Sequence, residues 1–310
     1  MAVKDEIKIS EALKILFLVT VLGAYMALGR SYAKVWQDNH SLWGYVSLKS
    51  PAKARPMSNF GLALYDRKEF EAAEEAFMLA IRFDPTFANA YINLGTVFFE
   101  AGDYKDALDM FEKAAELKPA SIALYYNLAR TYIATGMFNN ALAELNMALQ
   151  LNKDFPGAYN ARGIVFYEQG YTLKAMEEFK KAVKINPVYV EARNNMAGMY
   201  YALSLYKEAA REFQIVLQLA PDNLDARVNL AGVYYALRQF EDSAKEYEIY
   251  LKENYLDTSA WYDLGTAYYY SGDKVKASQA FSRVLAYDAK HQEAISALAQ
   301  VRAEIDKEKQ

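Results

Sequence analysis

The sequence predicts an all-α solenoid of tandem helix-turn-helix repeats, on three observations. A pattern of small and apolar residues recurs every 34 positions without insertion, which is the signature of a repeat architecture. Each 34-residue unit contains two stretches with the periodicity of amphipathic helices. Hydrophobic residues make up 53% of the 310-residue chain, with only 14 Gly and 7 Pro, so the chain is expected to fold and to favour helices.

The first predicted element is a transmembrane or signal-anchor helix over residues 13–29, preceded by a tail of residues 1–12. Residues 15–29 carry no charge, and counted from Leu13 the stretch just reaches the length that crosses a bilayer. A helix that is apolar all round lacks the polar face of a solenoid helix, so a membrane or secretory role is expected. Residues suited to the membrane interface follow it: Arg30, Tyr32, Lys34 and Trp36.

Three interpretations of this segment stay open: an uncleaved anchor, a signal peptide cut after residues 27–29, and a buried helix of a soluble protein. The anchor is the preferred one, and it predicts a single-pass membrane protein. Three lysines before the segment slightly outnumber the two basic residues after it, so the repeats are expected on the periplasmic or exoplasmic side. Residues 30–53 would then form a juxtamembrane linker.

Seven repeats are predicted over residues 54–291, and positions within a repeat are counted here from its first residue. Position 8 is always small: Gly61, Gly95, Ala129, Gly163, Ala197, Ala231 and Gly265. Position 24 is always large: Phe77, Phe111, Leu145, Phe179, Phe213, Tyr247 and Phe281. Small residues let two helices cross closely, and the large residue fills the gap between units. Residues 292–310 continue with helical spacing and predict a C-terminal capping helix and tail.

This pattern resembles the tetratricopeptide repeat (TPR) family, over about three quarters of the chain. The resemblance implies a right-handed superhelical solenoid in which the first helix of each repeat lines a concave groove. It also implies a scaffold that binds a protein or peptide partner in that groove. No single unit can bury its own apolar face, so stability is expected to come from stacking neighbouring repeats.

Position 6 of the first helix is the main candidate for partner binding. It holds an amide or a carboxylate in six of the seven repeats: Asn59, Asn93, Asn127, Asn195, Asn229 and Asp263. An amide both donates and accepts hydrogen bonds, so it can pair with a peptide backbone whatever the peptide's side chains are. Neighbouring first helices lie about 10 Å apart, and an extended chain rises about 3.3 Å per residue. The position-6 side chains of successive repeats would therefore meet every third residue of a bound peptide.

The position-6 column is similar to the asparagine ladder in the TPR region of the O-linked N-acetylglucosamine transferases. The alternative interpretation is that each amide bonds the neighbouring helix and serves packing. Tyrosines at position 12 could add apolar contact area to a groove: Tyr167, Tyr201, Tyr235 and Tyr269. An aromatic stripe at helical spacing is more often packing between repeats, and packing is the favoured interpretation.

The composition argues against catalysis, metal binding and nucleic-acid binding. The chain has no Cys and only two His, His40 near the N-terminal segment and His291 at the end of the array. Neither a zinc ligand set nor a nucleophile beside a base is therefore expected. The 35 basic and 39 acidic residues are mixed along the whole length, without the basic stripe that binds phosphates. The prediction is a non-enzyme without cofactor or metal.

The junction before the repeats carries a second resemblance. The residues that carry it are Arg30, Trp36, Asp38, Leu42, Trp43, Ser50, Pro51, Arg55, Asn59, Phe60 and Gly61. They resemble the junction in polytopic TPR-bearing proteins related to the O-mannosyltransferases, where a last membrane helix leads into exoplasmic repeats. The catalytic region of those proteins is not part of this sequence, so the resemblance implies topology and not transferase activity.

The sequence thus favours a membrane-tethered scaffold that binds an extended peptide or partner protein and recruits it to an envelope assembly. One alternative is an accessory subunit that presents substrate to a glycosyltransferase. Another is a structural repeat protein that self-associates as a homo-oligomer.

Overall fold

The computed structural model describes residues 33–50, 52–118 and 120–308, together with Thr20, Leu22 and Met26. Sixteen helices are bounded within these residues, and no strand occurs among them. The helices are α1 (Asn39–Lys49), α2 (Ala54–Asp66), α3 (Phe70–Phe83), α4 (Ala88–Ala101), α5 (Tyr104–Leu117), α6 (Ile122–Ala134), α7 (Phe138–Leu151), α8 (Pro156–Glu168), α9 (Thr172–Ile185), α10 (Val190–Ala202), α11 (Tyr206–Leu219), α12 (Leu224–Ala236), α13 (Phe240–Glu253), α14 (Thr258–Ser271), α15 (Lys274–Tyr287) and α16 (Gln292–Glu308).

The helices from α2 to α15 follow the 34-residue period, two to a repeat. Every first helix begins at position 1 and every second helix begins at position 17. The predicted all-α solenoid of paired helices is therefore confirmed. The chain forms two compact units, one ending at Asn140 and the other beginning at Ala141. In each unit the core contains the position-24 side chains, the small residues around them and further aliphatic side chains, with Phe77 and Phe111 fully buried in the first unit and Phe213 nearly so in the second.

The closest contact inside a repeat joins position 8 to position 24. A Cβ atom placed on Gly61, Gly95, Gly163 or Gly265 would lie 2.6–2.7 Å from a ring carbon of the phenylalanine sixteen residues later. Real carbon atoms do not approach so closely, because attraction is greatest at about 3.5–4.0 Å. Glycine at position 8 therefore lets the first helix lie directly against the phenylalanine ring of the second.

The turn inside each repeat depends on one left-handed residue, a feature that the sequence analysis missed. Position 15 has a positive φ in all seven repeats, between 59° and 90°. Glycine adopts this conformation without steric cost and occupies four of the seven positions. The other three are Lys68, Ser204 and Arg238. At these three positions a residue with a side chain adopts the left-handed conformation, which is sterically disfavoured for residues other than glycine.

Helix α1 lies within residues 30–53, where the sequence analysis expected only a linker. Asp38 caps its N-terminus, because Asp38 Oδ1 accepts a hydrogen bond of 2.7 Å from the backbone N–H of Ser41. The helix packs on the first repeat, where a Cβ on Gly44 would lie 3.2 Å from the Phe60 ring. The repeat array in the first unit is thus covered by a helix at its N-terminal end.

The predicted membrane helix requires a correction. Within the part of the chain that the structure describes, no helix is both long enough and apolar enough to cross a membrane. The predicted span, residues 13–29, lies outside the described residues apart from Thr20, Leu22 and Met26. The predicted single-pass membrane localisation was wrong, and it is withdrawn. At 1.5 Å per residue a helix over the predicted span, residues 13–29, would rise about 26 Å, whereas the hydrocarbon core is about 30 Å thick.

Candidate peptide-binding surface

In the first unit, the position-6 amides link neighbouring first helices. Asn93 Nδ2 donates to Ser58 Oγ at 3.2 Å, and Asn127 Nδ2 donates to Thr96 Oγ1 at 3.1 Å. Ser58 is buried, and Asn93, Asn127 and Thr96 are half-buried. Asn59 is also half-buried, at the start of the array. Each amide therefore has one side against the preceding repeat and another that water can reach.

In the second unit the same arrangement occurs once and is incomplete once. Asn195 Nδ2 donates to Asn160 Oδ1 at 2.9 Å, and Asn160 lies thirty-five residues earlier. The same spacing would place Asn194 opposite Asn229. Asn229 is exposed, and Asn194 Oδ1 is buried without a hydrogen-bond partner in the described part of the chain. In the second unit, the inter-repeat hydrogen bond expected between Asn194 and Asn229 is therefore not formed.

In each unit we call the surface that carries these position-6 side chains the ladder surface: Asn59, Asn93 and Asn127 in the first unit, and Asn195, Asn229 and Asp263 in the second. Where an amide donates one N–H to the preceding repeat, this hydrogen bond fixes the orientation of the side chain and so determines where its nitrogen and its oxygen lie. The second N–H and the oxygen of Asn93, Asn127 and Asn195 form no hydrogen bond among the described residues. Both predicted interpretations are therefore physically compatible, because an amide that packs against its neighbour still offers an acceptor.

The last rung differs in chemistry from the others. Tyr247, which replaces phenylalanine at position 24 of repeat six, is buried but donates a hydrogen bond of 3.2 Å to Asp263 Oδ2 in the next repeat. Although Asp263 is exposed as a residue, its carboxyl is partly desolvated where it meets the buried ring. This desolvation raises the pKa of Asp263; the Asp257 carboxylate adds to the rise, and the Tyr247 hydrogen bond opposes it.

Two of the four predicted tyrosines at position 12 pack against rings at the turn of their own repeat. Tyr201 lies 5.5 Å from Tyr206, and Tyr235 lies 5.5 Å from Phe240, measured between ring centroids. Tyr201 nevertheless keeps an exposed face, and Tyr167 is about half exposed. The structure thus places Tyr201 and Tyr235 in packing contacts and leaves Tyr167 and Tyr201 accessible.

Tyr269 is held by the capping helix α16. Its hydroxyl donates to Glu304 Oε1 at 2.9 Å and accepts from Gln300 Nε2 at 2.8 Å. Tyr270, the next residue, stacks on Phe240 at 5.2 Å. Since its hydroxyl already has two partners, Tyr269 is less suited to a ligand than the exposed tyrosines of the preceding repeats.

Sequence reasoning missed a second column, at position 4 of the first helix. Side chains there donate to the backbone carbonyl at position 32 of the preceding repeat: Tyr91 to Pro85, Arg193 to Pro187, Arg227 to Pro221 and Trp261 to Tyr255, at 2.6–3.2 Å. The two arginines also pair with a glutamate at position 23 of their own repeat, Glu212 or Glu246. The constant spacing of six residues between donor and carbonyl was the available signal.

Comparison with known families identifies the class of the protein. Models of the tetratricopeptide repeat match residues 98–163 and 204–267, and residues 156–189 and 258–291. A TPR repeat model matches residues 61–102. Together these matches cover more than two thirds of the chain, which therefore belongs to the tetratricopeptide repeat family. The fold is typical of protein–protein interaction scaffolds, and TPR proteins bind protein or peptide partners.

Several solved structures share this fold with a TM-score above 0.5. A chain of the APC/C hetero-tetramer Cut9–Hcn1 has a TM-score of 0.67 and 15% identity over 84% of this chain, which spans 52% of that one. Pseudomonas aeruginosa pilF has a TM-score of 0.60 and 18% identity, and the match covers 70% of this chain and 97% of the pilF chain. A thermophilic TPR protein from Thermus thermophilus has a TM-score of 0.53 and 24% identity, and the match covers 59% of this chain and 99% of that protein's chain. At these identities the likeness shows the fold alone.

No curated protein sequence matches the chain significantly. The family matches begin at residue 61, so the resemblance of the junction to the O-mannosyltransferase-related proteins stays a prediction. The expectation that the chain is not an enzyme also stays a prediction, although it agrees with the scaffold role typical of the fold.

Proposed function

We propose that this chain is a non-catalytic adaptor that holds extended polypeptide along the ladder surface, with each unit binding its own stretch. The observation that supports the proposal is the set of position-6 amides that are fixed by one inter-repeat hydrogen bond and keep a free acceptor. An acceptor that recurs at the spacing of the repeats suits the backbone N–H groups of an extended chain. Little of the ligand's side-chain chemistry is then specified by the ladder itself.

The fixed orientation of the amides favours binding. An asparagine that is already held by Ser58, Thr96 or Asn160 loses little side-chain freedom when a ligand arrives. The exposed Tyr167 and Tyr201 would add apolar contact area beside the amides of the second unit.

The polarity of the ladder changes at its last rung. Asp263 offers only acceptor oxygens when it is ionised, so this rung would prefer a donor such as a backbone N–H or a basic side chain. The proposal does not extend to an envelope assembly or to a glycosyltransferase complex, since those predictions depended on the membrane segment and on the junction.

The test begins with peptides selected from a random phage-displayed library on the intact chain. Their affinity is then measured by fluorescence anisotropy with synthetic peptides. The variant N93A/N127A/N195A should bind at least about tenfold more weakly, because each hydrogen bond contributes about 0.5–1.5 kcal/mol net and 1.4 kcal/mol is about tenfold. Circular dichroism checks that helicity is unchanged.

The matched control is N139A/N140A. It removes two exposed amides from the second helix α7 and leaves every ladder amide and its partner in place, so peptide affinity should stay within about twofold. A second control methylates the peptide backbone nitrogens at every third residue, which should abolish binding. Equal affinity of the triple variant and the wild type, or binding that survives methylation, would refute the ladder as the binding surface. If no peptide is enriched, sedimentation would show whether self-association is the role instead.

A further inference from the structure

The second unit contains an open pocket on the face away from the ladder surface, between the second helices α13 and α15 and over the first helix α14. Its volume is about 470 Å³, within the range of small-ligand and side-chain pockets. Leu251, Leu264 and Ala280 form an apolar floor, and all three are buried. Trp261 and Tyr268 form its aromatic walls.

Repeat seven differs from repeats five and six at two positions that line this pocket. In repeats five and six an arginine at position 4 reaches a glutamate at position 23, as Arg227 does to Glu246 at 2.7 Å. Repeat seven has Trp261 at position 4 and Ala280 at position 23. The indole takes the place of the arginine and its N–H still donates to the Tyr255 carbonyl, at 2.9 Å, whereas the alanine leaves free the space that a glutamate side chain would take.

The rim of the pocket is positively charged, although the whole chain has a net charge of −4. Lys252, Lys276 and Arg283 surround the opening and are exposed. Lys276 pairs with Asp273 at 3.6 Å, whereas Lys252 and Arg283 form no ion pair within the described residues. The one carboxylate at the rim, Glu248, accepts a hydrogen bond from the hydroxyl of Tyr268.

We propose that this pocket binds an acidic peptide segment through one bulky apolar side chain flanked by carboxylates. The apolar side chain would enter between Trp261 and Tyr268, over Leu251 and Leu264. The flanking carboxylates would pair with the rim cations. Desolvated aromatic pockets of this kind supply most of the binding energy of protein interfaces, and the charged rim would steer acidic partners to it. This site is separate from the ladder surface and does not depend on the proposed function.

The test uses a fluorescein-labelled peptide in which one phenylalanine is flanked on both sides by glutamates. Binding to the intact chain is followed by anisotropy, and the affinity should fall as salt is added. Two comparison peptides replace the phenylalanine by alanine or the glutamates by lysine, and each should bind at least about tenfold more weakly.

The decisive variant is W261R/A280E, which installs in repeat seven the pair that repeats five and six already carry. It should keep the fold, as judged by circular dichroism, and lose at least about tenfold in affinity because the pocket is filled. The variant K252E/R283E should also lose affinity. The matched control K207E/R211E makes the same charge change on α11, in an earlier repeat, and should bind as the wild type does.

Unchanged binding by W261R/A280E would overturn the proposal, as would no binding of the peptide to the wild type at millimolar concentration. An equal loss of affinity in K207E/R211E would mean that the peptide responds only to the overall charge of the protein, and it would also overturn the proposal. If the wild type dimerises and W261R/A280E is monomeric while the peptide does not compete, the occupant is a second copy of the chain and the acidic-peptide proposal is wrong. Retained binding in the ladder variant N93A/N127A/N195A would separate the two sites.

Discussion

The contact between Gly95 and Phe111 allows a quantitative test of how a repeat is packed. In the variant G95A, the new Cβ would lie 2.7 Å from Cε1 and 2.9 Å from Cδ1 of Phe111, roughly 1 Å inside the preferred separation. Phe111 is fully buried, so its ring has no open space into which to move. Such overpacking costs about 1–3 kcal/mol, and alanine returns up to about 1 kcal/mol through its higher helix propensity. We expect a net loss of about 1 kcal/mol.

Two other repeats bear on this estimate. Repeat three has Ala129 at position 8 and Leu145 at position 24, repeat five has Ala197 and Phe213 there, and all four side chains are buried. A phenylalanine can therefore shift when its surroundings permit, which places the cost at the lower end of the range. The double variant G95A/F111L recreates the combination of residues in repeat three.

The cycle of single and double variants isolates the strain. In the wild-type background F111L should cost about 1–2 kcal/mol for the lost ring volume. In the G95A background the same change removes the clash, so it should cost at least about 1 kcal/mol less. Native-state hydrogen exchange of the α4 and α5 amides is the assay, because a repeat array opens segment by segment. A loss of 1 kcal/mol appears as about a fivefold drop in protection. Equal costs of F111L in both backgrounds would refute the packing argument.

Three further predictions concern residues that depart from the repeat pattern. Burial raises the pKa of Asp263 above its ordinary 3.8, so the folded state favours the protonated carboxyl and loses stability as pH rises through that raised pKa. The variant D263N can still accept the hydrogen bond from Tyr247 and should therefore be more stable than the wild type at pH 7. The difference between their thermal unfolding midpoints should vanish towards pH 3. S204G should stabilise by about 1 kcal/mol in thermal unfolding, since Ser204 has φ 59°, and an unchanged midpoint would contradict this. S243A should change stability by less than about 1 kcal/mol, because the Ser243 hydroxyl donates at 2.8 Å to the Ala231 carbonyl and its removal leaves no unpaired donor.

The period alone predicted the larger part of the fold. Small residues at position 8 and large ones at position 24 indicated two helices in close contact, and the structure shows that contact at Gly61 and Gly163, where an added Cβ would lie 2.6 Å from a ring carbon. A pattern that repeats at fixed spacing reports a constraint that every unit shares, such as a steric one. It therefore predicted the two helices of each repeat and the close packing at positions 8 and 24.

The parts that the sequence analysis missed are of a different physical kind. Helix α1 lies outside the period and has only one sequence signal, an Asp38 cap before a short run. The left-handed residue at position 15 is glycine in most repeats, but Lys68, Ser204 and Arg238 conceal the column. The membrane prediction depended on an uncharged run whose length only just reaches that of a bilayer span, and among the described residues no helix is long and apolar enough to cross a membrane.

The predicted ladder shows why a column read by itself cannot assign function. An asparagine at position 6 is consistent with packing or with binding, and the structure gives Asn93, Asn127 and Asn195 a packing bond while leaving an acceptor unused. The residue type did not reveal this division, because it depends on which side chain lies opposite in the preceding repeat. Only a pairwise relation, such as thirty-five residues from Asn160 to Asn195, carries that information.

The departures from the pattern in the second unit come in matched pairs, and this is where individual properties arise. Tyr247 replaces a phenylalanine and Asp263 replaces an asparagine, and the two side chains bond to each other across a repeat boundary. Trp261 and Ala280 replace the arginine and glutamate of repeats five and six, and both line the pocket. Read singly, each is an ordinary substitution at a tolerant position. Read in pairs, they mark the places where one repeat differs from its neighbours in what it can bind, because each pair replaces both partners of one contact.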